Sequence, residues 1–412
     1  MPKPTDCLFC ESPKQRLILS LGKQPLANSY LTEEQTKSEE PVYPLDLYVC
    51  EECMLAHIEV VATSEDIFSD YAYFSSFSTT WLEHAKTYVD QVTERFGLDA
   101  NSFVIEIASN DGYLLQNFVA RGIPCLGIEP AENVAKAAEE KGVPTQVAFW
   151  GKKTAQQLAQ EDKLADLIIG NNVLAHVPTL NDFVRGLKAA LKPGGVVTME
   201  FPHLYQLVEQ NQFDTIYHEH FSYFSFFAVR KVFAYHGLTL FDVEELPTHG
   251  GSLRIYARHT EDESKEVTAS VEALLAKEEA AGMMGFDYYD SFKKRVEEAK
   301  YALLDFLAEA HQENKRVAAY GAPAKGNTLL NYCGLGASEI SYTVDRSPHK
   351  QGLYLPGSHI PIRAPEVVAE DKPDYLIILP WNLREEIMEQ MAHIREWEGQ
   401  FVVPIPEVQV YP

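Results

Sequence analysis

"VIEIASNDGYLL", residues 104–115, reads as a strand that breaks into a turn and then enters a helix. Apolar Val104, Ile105 and Ile107 flank Glu106; a polar Ser109-Asn110-Asp111 follows, and Gly112 lets the backbone turn before an apolar pattern resumes. The same alternation continues in "PCLGIEPAENVAKAAEEKG" (124–142) and "LADLIIGNNVLAHVPTLNDFVRGLKAALKPGGVVTMEFP" (164–202). Apolar β-branched runs followed by helical patterns predict a parallel sheet with crossover helices. "TLFDVEELPTHGGSLRIYAR" (239–258) predicts strands that complete that sheet antiparallel.

Further along, residues 285–315 predict one long helix, with Phe292, Val296, Ala299, Leu303, Phe306 and Ala310 forming its apolar stripe. The alternation then restarts through "KRVAAYGAPAKGNTLLNYCG" (315–334), "SEISYTVDRSP" (338–348), "PDYLIILPWNLREEIMEQM" (373–391) and "QFVVPIP" (400–406). That is a second, smaller α/β unit. Upstream, Cys7, Cys10, Cys50 and Cys53 form C-x2-C-x39-C-x2-C. Four thiolates from two tight turns suit tetrahedral zinc, and a site with four protein ligands leaves no open position for catalysis. Cys125 and Cys333 read as packing residues.

With 412 residues the chain is long enough for two or three domains, and 46% hydrophobic with 23% charged residues is ordinary for a globular protein. A formal net charge of -25 argues against a nucleic-acid groove and an anionic membrane surface. No apolar run approaches the ~20 residues of a membrane helix, and "MPKPTDCLFCESPKQ" lacks a signal-peptide core, so a cytoplasmic protein is expected.

Glu106, Ala108, Asn110 and Gly112 occupy the E-x-G-x-G-x-G positions of an S-adenosylmethionine turn, with two glycines replaced. Ser109 lies inside that turn. Glu129, followed by Pro130, ends the next strand where an acid accepts ribose hydroxyls, and Asn171 and Asn172 end a further one. The ordered strand ends favour S-adenosylmethionine over a dinucleotide, whose fingerprint is G-x-G-x-x-G. "GAPAKG" (321–326) with Asp345 is half a dinucleotide fingerprint, so an NAD-dependent oxidoreductase is the distant alternative. Lys325, His349 and Lys350 offer local positive charge to a diphosphate in this acidic chain.

"DTIYHEHFSYFS" (214–225) crowds His218, His220 and Glu219 among aromatic rings and fits neither strand nor helix periodicity. Such imidazoles are either core histidines or tuned proton acceptors.

Taken together these blocks resemble the nucleotide-sugar C-methyltransferases of deoxysugar biosynthesis. The likeness runs through the four cysteines, "EIASNDGYLL", "GIEP", "NVLAHVP", "YHEHFSYFS", "HGGSLRIY", "GAPAKGNTLLNYCG", "VDRSPHKQG" and "PDYLIILPWN". It implies an α/β chain of three modules: a zinc-binding module (1–70), a central class I, Rossmann-like methyltransferase domain (71–285), and a smaller Rossmann-like domain (286–412) that holds a nucleotide sugar. The implied substrates are dTDP-linked 4-keto deoxysugars methylated at C3. The resemblance places the base at His220, with Tyr217 and Glu219 beside it and His176 and Tyr73 as further site residues. Lys325, Asn327, Asp345, His349 and Lys350 are the expected substrate contacts. Methylation of oxygen or nitrogen on a related sugar nucleotide is the nearer alternative.

Overall fold

The computed structural model describes residues 6–61, 75–77 and 79–412. They fall into two compact units. One comprises the described residues up to Gln15 together with Cys50–His203 and Phe221–Ala280; the other comprises Arg16–Val49, Leu204–His220 and Ala281–Pro412.

The first unit is built on a seven-stranded sheet. Its strands run in the spatial order Leu238–Leu246, Ser252–His259, Leu191–Pro202, Ala165–Asn171, Val104–Ile107, Cys125–Glu129 and Thr145–Val147. The last five are parallel, and the hairpin of the first two joins them antiparallel, as the sequence predicts. Every residue of Val104–Ile107 is buried, because helices cover both faces; hence the strand reads as a nearly continuous apolar run. Alternate residues feed two cores. Ile105, Ile107 and Ile168 join Phe183, Leu187 and Phe233, whereas Val104, Leu167 and Ile169 join Tyr88, Val89 and Phe118. The strand order reverses beside Val104–Ile107, and open α/β sheets bind ligands at the carboxyl ends of strands at such a point.

The second unit carries a six-stranded sheet in the order Ile362–Arg363, Thr343–Val344, Val317–Tyr320, Tyr375–Ile378, Gln400–Val403 and Gln409–Tyr411. Only the last pairing is antiparallel. The helix Asp287–Gln312 buries Phe292, Val296, Ala299, Leu303 and Ala310 as expected, but Leu307 replaces Phe306 in the stripe. The step from 303 to 307 keeps the following residue on the buried face, and Phe306 instead meets the Tyr375 ring edge-on at 5.0 Å. No helix among the described residues is long and apolar enough to cross a membrane.

Candidate functional site

The four cysteines converge within the first unit, with all four Sγ atoms within 4.8 Å of one another. The pairs Cys7–Cys53 and Cys10–Cys50 stand 3.5 and 3.4 Å apart, too far for disulfides and close to the ~3.8 Å edge of a tetrahedron with zinc–sulfur bonds of about 2.3 Å. Both knuckles share one turn. Cys7 and Cys50 donate their N–H groups to the carbonyls of Ser12 and Leu55, while Glu11 and Met54, each just past a second cysteine, donate back to Cys7 and Cys50. Glu11 and Met54 both sit at positive φ, 57° and 64°. The donor set and its spacing fit a structural zinc ion.

In the same unit the turn after Val104–Ile107 alternates into the left-handed region: φ is 54° at Ala108, 50° at Asn110 and 75° at Gly112. The two replaced glycines thus keep the backbone that glycine would favour. A Cβ on Gly112 would fall 2.9 Å from Val143 Cγ2, so that position accepts nothing larger. Glu129 folds back on the turn: Oε2 accepts from Asn110 N–H at 2.9 Å and Oε1 from Ala131 N–H, just past Pro130, at 2.9 Å. Burial raises the Glu129 pKa. Burial first, then the charges of Glu129 and Asp111, push Glu106 well above the ordinary carboxylate range. Both polar side-chain atoms of Asn171 and the Ser109 hydroxyl are buried without a hydrogen-bond partner. Buried polar atoms left unpaired at a topological switch point fit a site whose ligand supplies hydrogen bonds. S-adenosylmethionine brings a ribose diol, an amino acid and an adenine edge.

Beside this turn lies a network that the sequence does not announce. Glu200 accepts from His84 Nε2 at 3.0 Å, Arg254 at 2.9 Å and Thr248 Oγ1 at 3.0 Å. Burial pushes its pKa up, but the His84 hydrogen bond and the Arg254 charge outweigh that and hold it below the usual value. Asn172, at φ 53°, donates its backbone N–H to the Glu200 carbonyl, and its side chain meets His249 Nε2 at 2.9 Å. His176 sits in the short turn Leu174–His176 after the same strand. Tyr73 lies outside the described residues.

In the second unit Tyr217, Glu219 and His220 are brought together by the loop that follows the turn Phe213–Thr215. His220 Nδ1 lies 2.9 Å from the Thr215 carbonyl, which can only accept, so Nδ1 carries the proton. The lone pair of the neutral ring is therefore at Nε2, where the Tyr217 hydroxyl stands 2.9 Å away. Glu219 is buried and accepts from Asn28 Nδ2 at 2.7 Å. Burial pushes its pKa up to about 7 against the Asn28 hydrogen bond and the charge of Lys350. His218 instead contacts the Pro44 carbonyl at 3.0 Å, a packing role.

The expected substrate contacts divide into two groups. Asp345 accepts from Ala322 N–H at 2.8 Å, and the Ala322 carbonyl accepts from Lys350 Nζ at 2.8 Å and Tyr30 Oη at 2.6 Å. Lys325 hydrogen-bonds Asn382 and stands 4.2 Å over the Trp381 ring; burial lowers its pKa to about 8. Asn327 Nδ2 donates to the Ala27 carbonyl at 2.7 Å while its Oδ1 is buried without a hydrogen-bond partner, and His349 is exposed. Asn28, Tyr30, Asp214 and Trp381 were not singled out from the sequence. Asp214 opens the histidine-rich stretch and Trp381 lies within "PDYLIILPWN", whereas Asn28 and Tyr30 stand in no quoted motif.

Residues 7–68 match the family described as "Putative zinc binding domain", residues 81–243 "Methyltransferase domain", and residues 247–406 "C-methyltransferase C-terminal domain". The chain is 37% identical over 409 residues to C-methyltransferase NovU of Streptomyces niveus, an alignment covering 99% of this chain and 97% of that relative. A ubiquinone biosynthesis O-methyltransferase of Methylobacterium sp. is 32% identical over 97 residues, 23% of this chain and 38% of its own. Among solved structures, magnesium protoporphyrin IX methyltransferase of Synechocystis with bound SAM overlaps 43% of this chain and 78% of that one, at 15% identity and a TM-score of 0.33.

Proposed function

The chain belongs to the C-methyltransferase family and is an S-adenosylmethionine-dependent enzyme, and from that premise we propose that it methylates C3 of a 4-keto deoxysugar carried on a nucleoside diphosphate, dTDP in the first place. We assign residues 1–70 to the metal module, 71–285 to methyl transfer and 286–412 to the nucleotide sugar, with Lys325, Asn327, Asp345, His349 and Lys350 as its contacts. The observation that carries the reading is the imidazole of His220, whose protonated Nδ1 rests on the Thr215 carbonyl and whose basic Nε2 faces the Tyr217 hydroxyl.

A ketone acidifies the neighbouring C–H, so a base of near-neutral pKa is strong enough to remove the C3 proton. His220 Nε2 takes that proton, and the C–H electron pair moves into a C3–C4 double bond with the charge on the keto oxygen. The Tyr217 hydroxyl, released from Nε2 as the ring is protonated, turns to this oxyanion. Glu219, titrating at about 7, exchanges a proton with the same oxygen at neutral pH. When bound, S-adenosylmethionine would supply the electrophilic methyl group that C3 takes up as the ketone re-forms, with S-adenosylhomocysteine as the leaving group. Glu129 holds the cofactor ribose, and Ala108, Ser109, Asn110, Gly112, Asn171 and Asn172 line its bed.

His220→Asn keeps a side chain of similar reach without the basic nitrogen. With a dTDP-4-keto-6-deoxyhexose as substrate, kcat should fall about 10²–10⁴-fold with KM little changed. Deuterium wash-in at C3 without cofactor should fall in parallel. Wild-type exchange in the variant removes His220 from this role, and a methylated oxygen or nitrogen in the product, found by mass spectrometry, removes the carbon chemistry.

A further inference from the structure

A base that must offer Nε2 depends on whatever holds the proton on Nδ1. In water a neutral histidine side chain prefers the opposite tautomer, with Nε2 protonated and useless as an acceptor. The ring of His220 is therefore only as good a base as the Thr215 carbonyl is well placed.

That carbonyl sits in a single turn, Phe213–Thr215, too short to hold itself. Three contacts, all within the second unit, pin it. Trp381 Nε1 donates to Asp214 Oδ2 at 2.7 Å. Thr328 Oγ1, on the helix Ala324–Cys333, donates to the Ile216 carbonyl at 3.2 Å. The Phe213 ring meets Tyr332 of the same helix edge-on at 5.5 Å. Thr215 is thus flanked on each side by an anchored residue. Asp214 is wholly buried, and its carboxylate takes the indole N–H from a residue far along the chain. Burying an acid is costly, and a purely structural turn would more cheaply use an apolar residue here.

The geometry points to Asp214, Trp381 and Thr328 as positioning residues that fix the tautomer of His220, with the Asp214–Trp381 hydrogen bond as the principal latch. This rests on the reading of His220 as base, but its first test does not. Trp381→Phe removes only the donor and keeps a ring; Asp214→Ala removes the acceptor; Asp214→Asn retains an amide oxygen able to accept the indole N–H.

The experiment is long-range proton–nitrogen NMR on histidine-labelled protein, with the His220 signals identified by their loss in His220→Asn. Wild type and Asp214→Asn should show the Nδ1–H tautomer, whereas Trp381→Phe and Asp214→Ala should move His220 toward Nε2–H. In turnover of the dTDP-4-keto-6-deoxyhexose the latter two should lose on the order of 10–100-fold in kcat with KM nearly unchanged, the scale of a misplaced group. An unchanged tautomer in Trp381→Phe overturns the proposal, and that variant keeps the question open to test if Asp214→Ala does not fold. A shifted tautomer with unchanged C3 exchange would instead leave the latch standing and sink the assignment of His220 as base.

Discussion

Each unit sets an acid at the end of its second parallel strand and folds it back on the turn after its first. Glu129 receives N–H groups from Asn110 and Ala131, and Asp345 receives them from Ala322 and Ser347, all at 2.8–2.9 Å. The turns they brace differ. In the first unit three residues stand in the left-handed region, two of them not glycine, and the shape is carried by the backbone. In the second, Gly321 alone in the turn 321–323 is left-handed, and side chains of Tyr30 and Lys350 close over the Ala322 carbonyl. The first turn carries its cost in backbone dihedrals beside two carboxyls that burial drives upward, Glu106 and Glu129, whereas the second unit holds groups poised near neutrality: Glu219 at about 7, Asp214 at about 6 and Lys325 at about 8. A bed for one fixed cofactor needs shape, whereas proton chemistry needs groups poised near neutrality.

The largest effect that would break this contrast is a pH dependence. Burial lifts Glu219 from an ordinary 4.5 to about 7. Between those values the folded chain binds more protons than the unfolded chain, so stability falls as pH rises and the loss is complete above 7. For this one nearly fully buried group the fall is up to roughly 3 kcal/mol. Glu219→Gln should flatten the decline between pH 5 and 8 in denaturant titrations, and parallel curves for variant and wild type would show that the second unit does not hold this side chain near neutrality.

Next comes the acid pair. Glu129→Ala should weaken S-adenosylmethionine binding by roughly 1–3 kcal/mol, the range for hydrogen bonds to a charged group, while Asp345→Ala should leave that affinity alone. Calorimetry giving equal losses for both would erase the distinction between the two turns. The smallest effect sharpens it. Ala108→Gly should stabilise the chain by about 0.5–1 kcal/mol, since the left-handed strain relieved exceeds the added freedom of the unfolded chain. A loss of stability would mean that the methyl group of Ala108 packs usefully.

The parts of this architecture legible in the sequence are those written in adjacent residues. Two C-x2-C turns, apolar runs ending in Glu129 or Asn171, and the antiparallel strands of 239–258 all declare themselves over short windows. The conformation of Ala108 and Asn110 did not, because neither side chain demands positive φ; the fixed strand and helix around them do. Nor did the Asp214–Trp381 contact, which joins residues 167 apart and obeys no periodicity. The same holds for Glu200, whose partners His84, Thr248 and Arg254 come from three separate elements. Phe306 differs for another reason: its large ring stands at nearly the right helical phase, yet the neighbouring Leu307 takes the buried position.

The paired knuckles also bear on the order in which the chain assembles. All four cysteines leave the ribosome well before Val104, so the thiolate cage is complete while the seven-stranded sheet does not yet exist. Structural zinc contributes about 10–16 kcal/mol to such modules, enough to set both turns at that moment. The strand that follows the second knuckle, Ala56–His57, has its partner in Ser222–Tyr223 and waits for it through the synthesis of nearly the whole first unit. A metal ion taken up at that stage would give a rigid nascent piece with an open strand edge, exposed to pairing with a neighbouring chain before its own partner arrives.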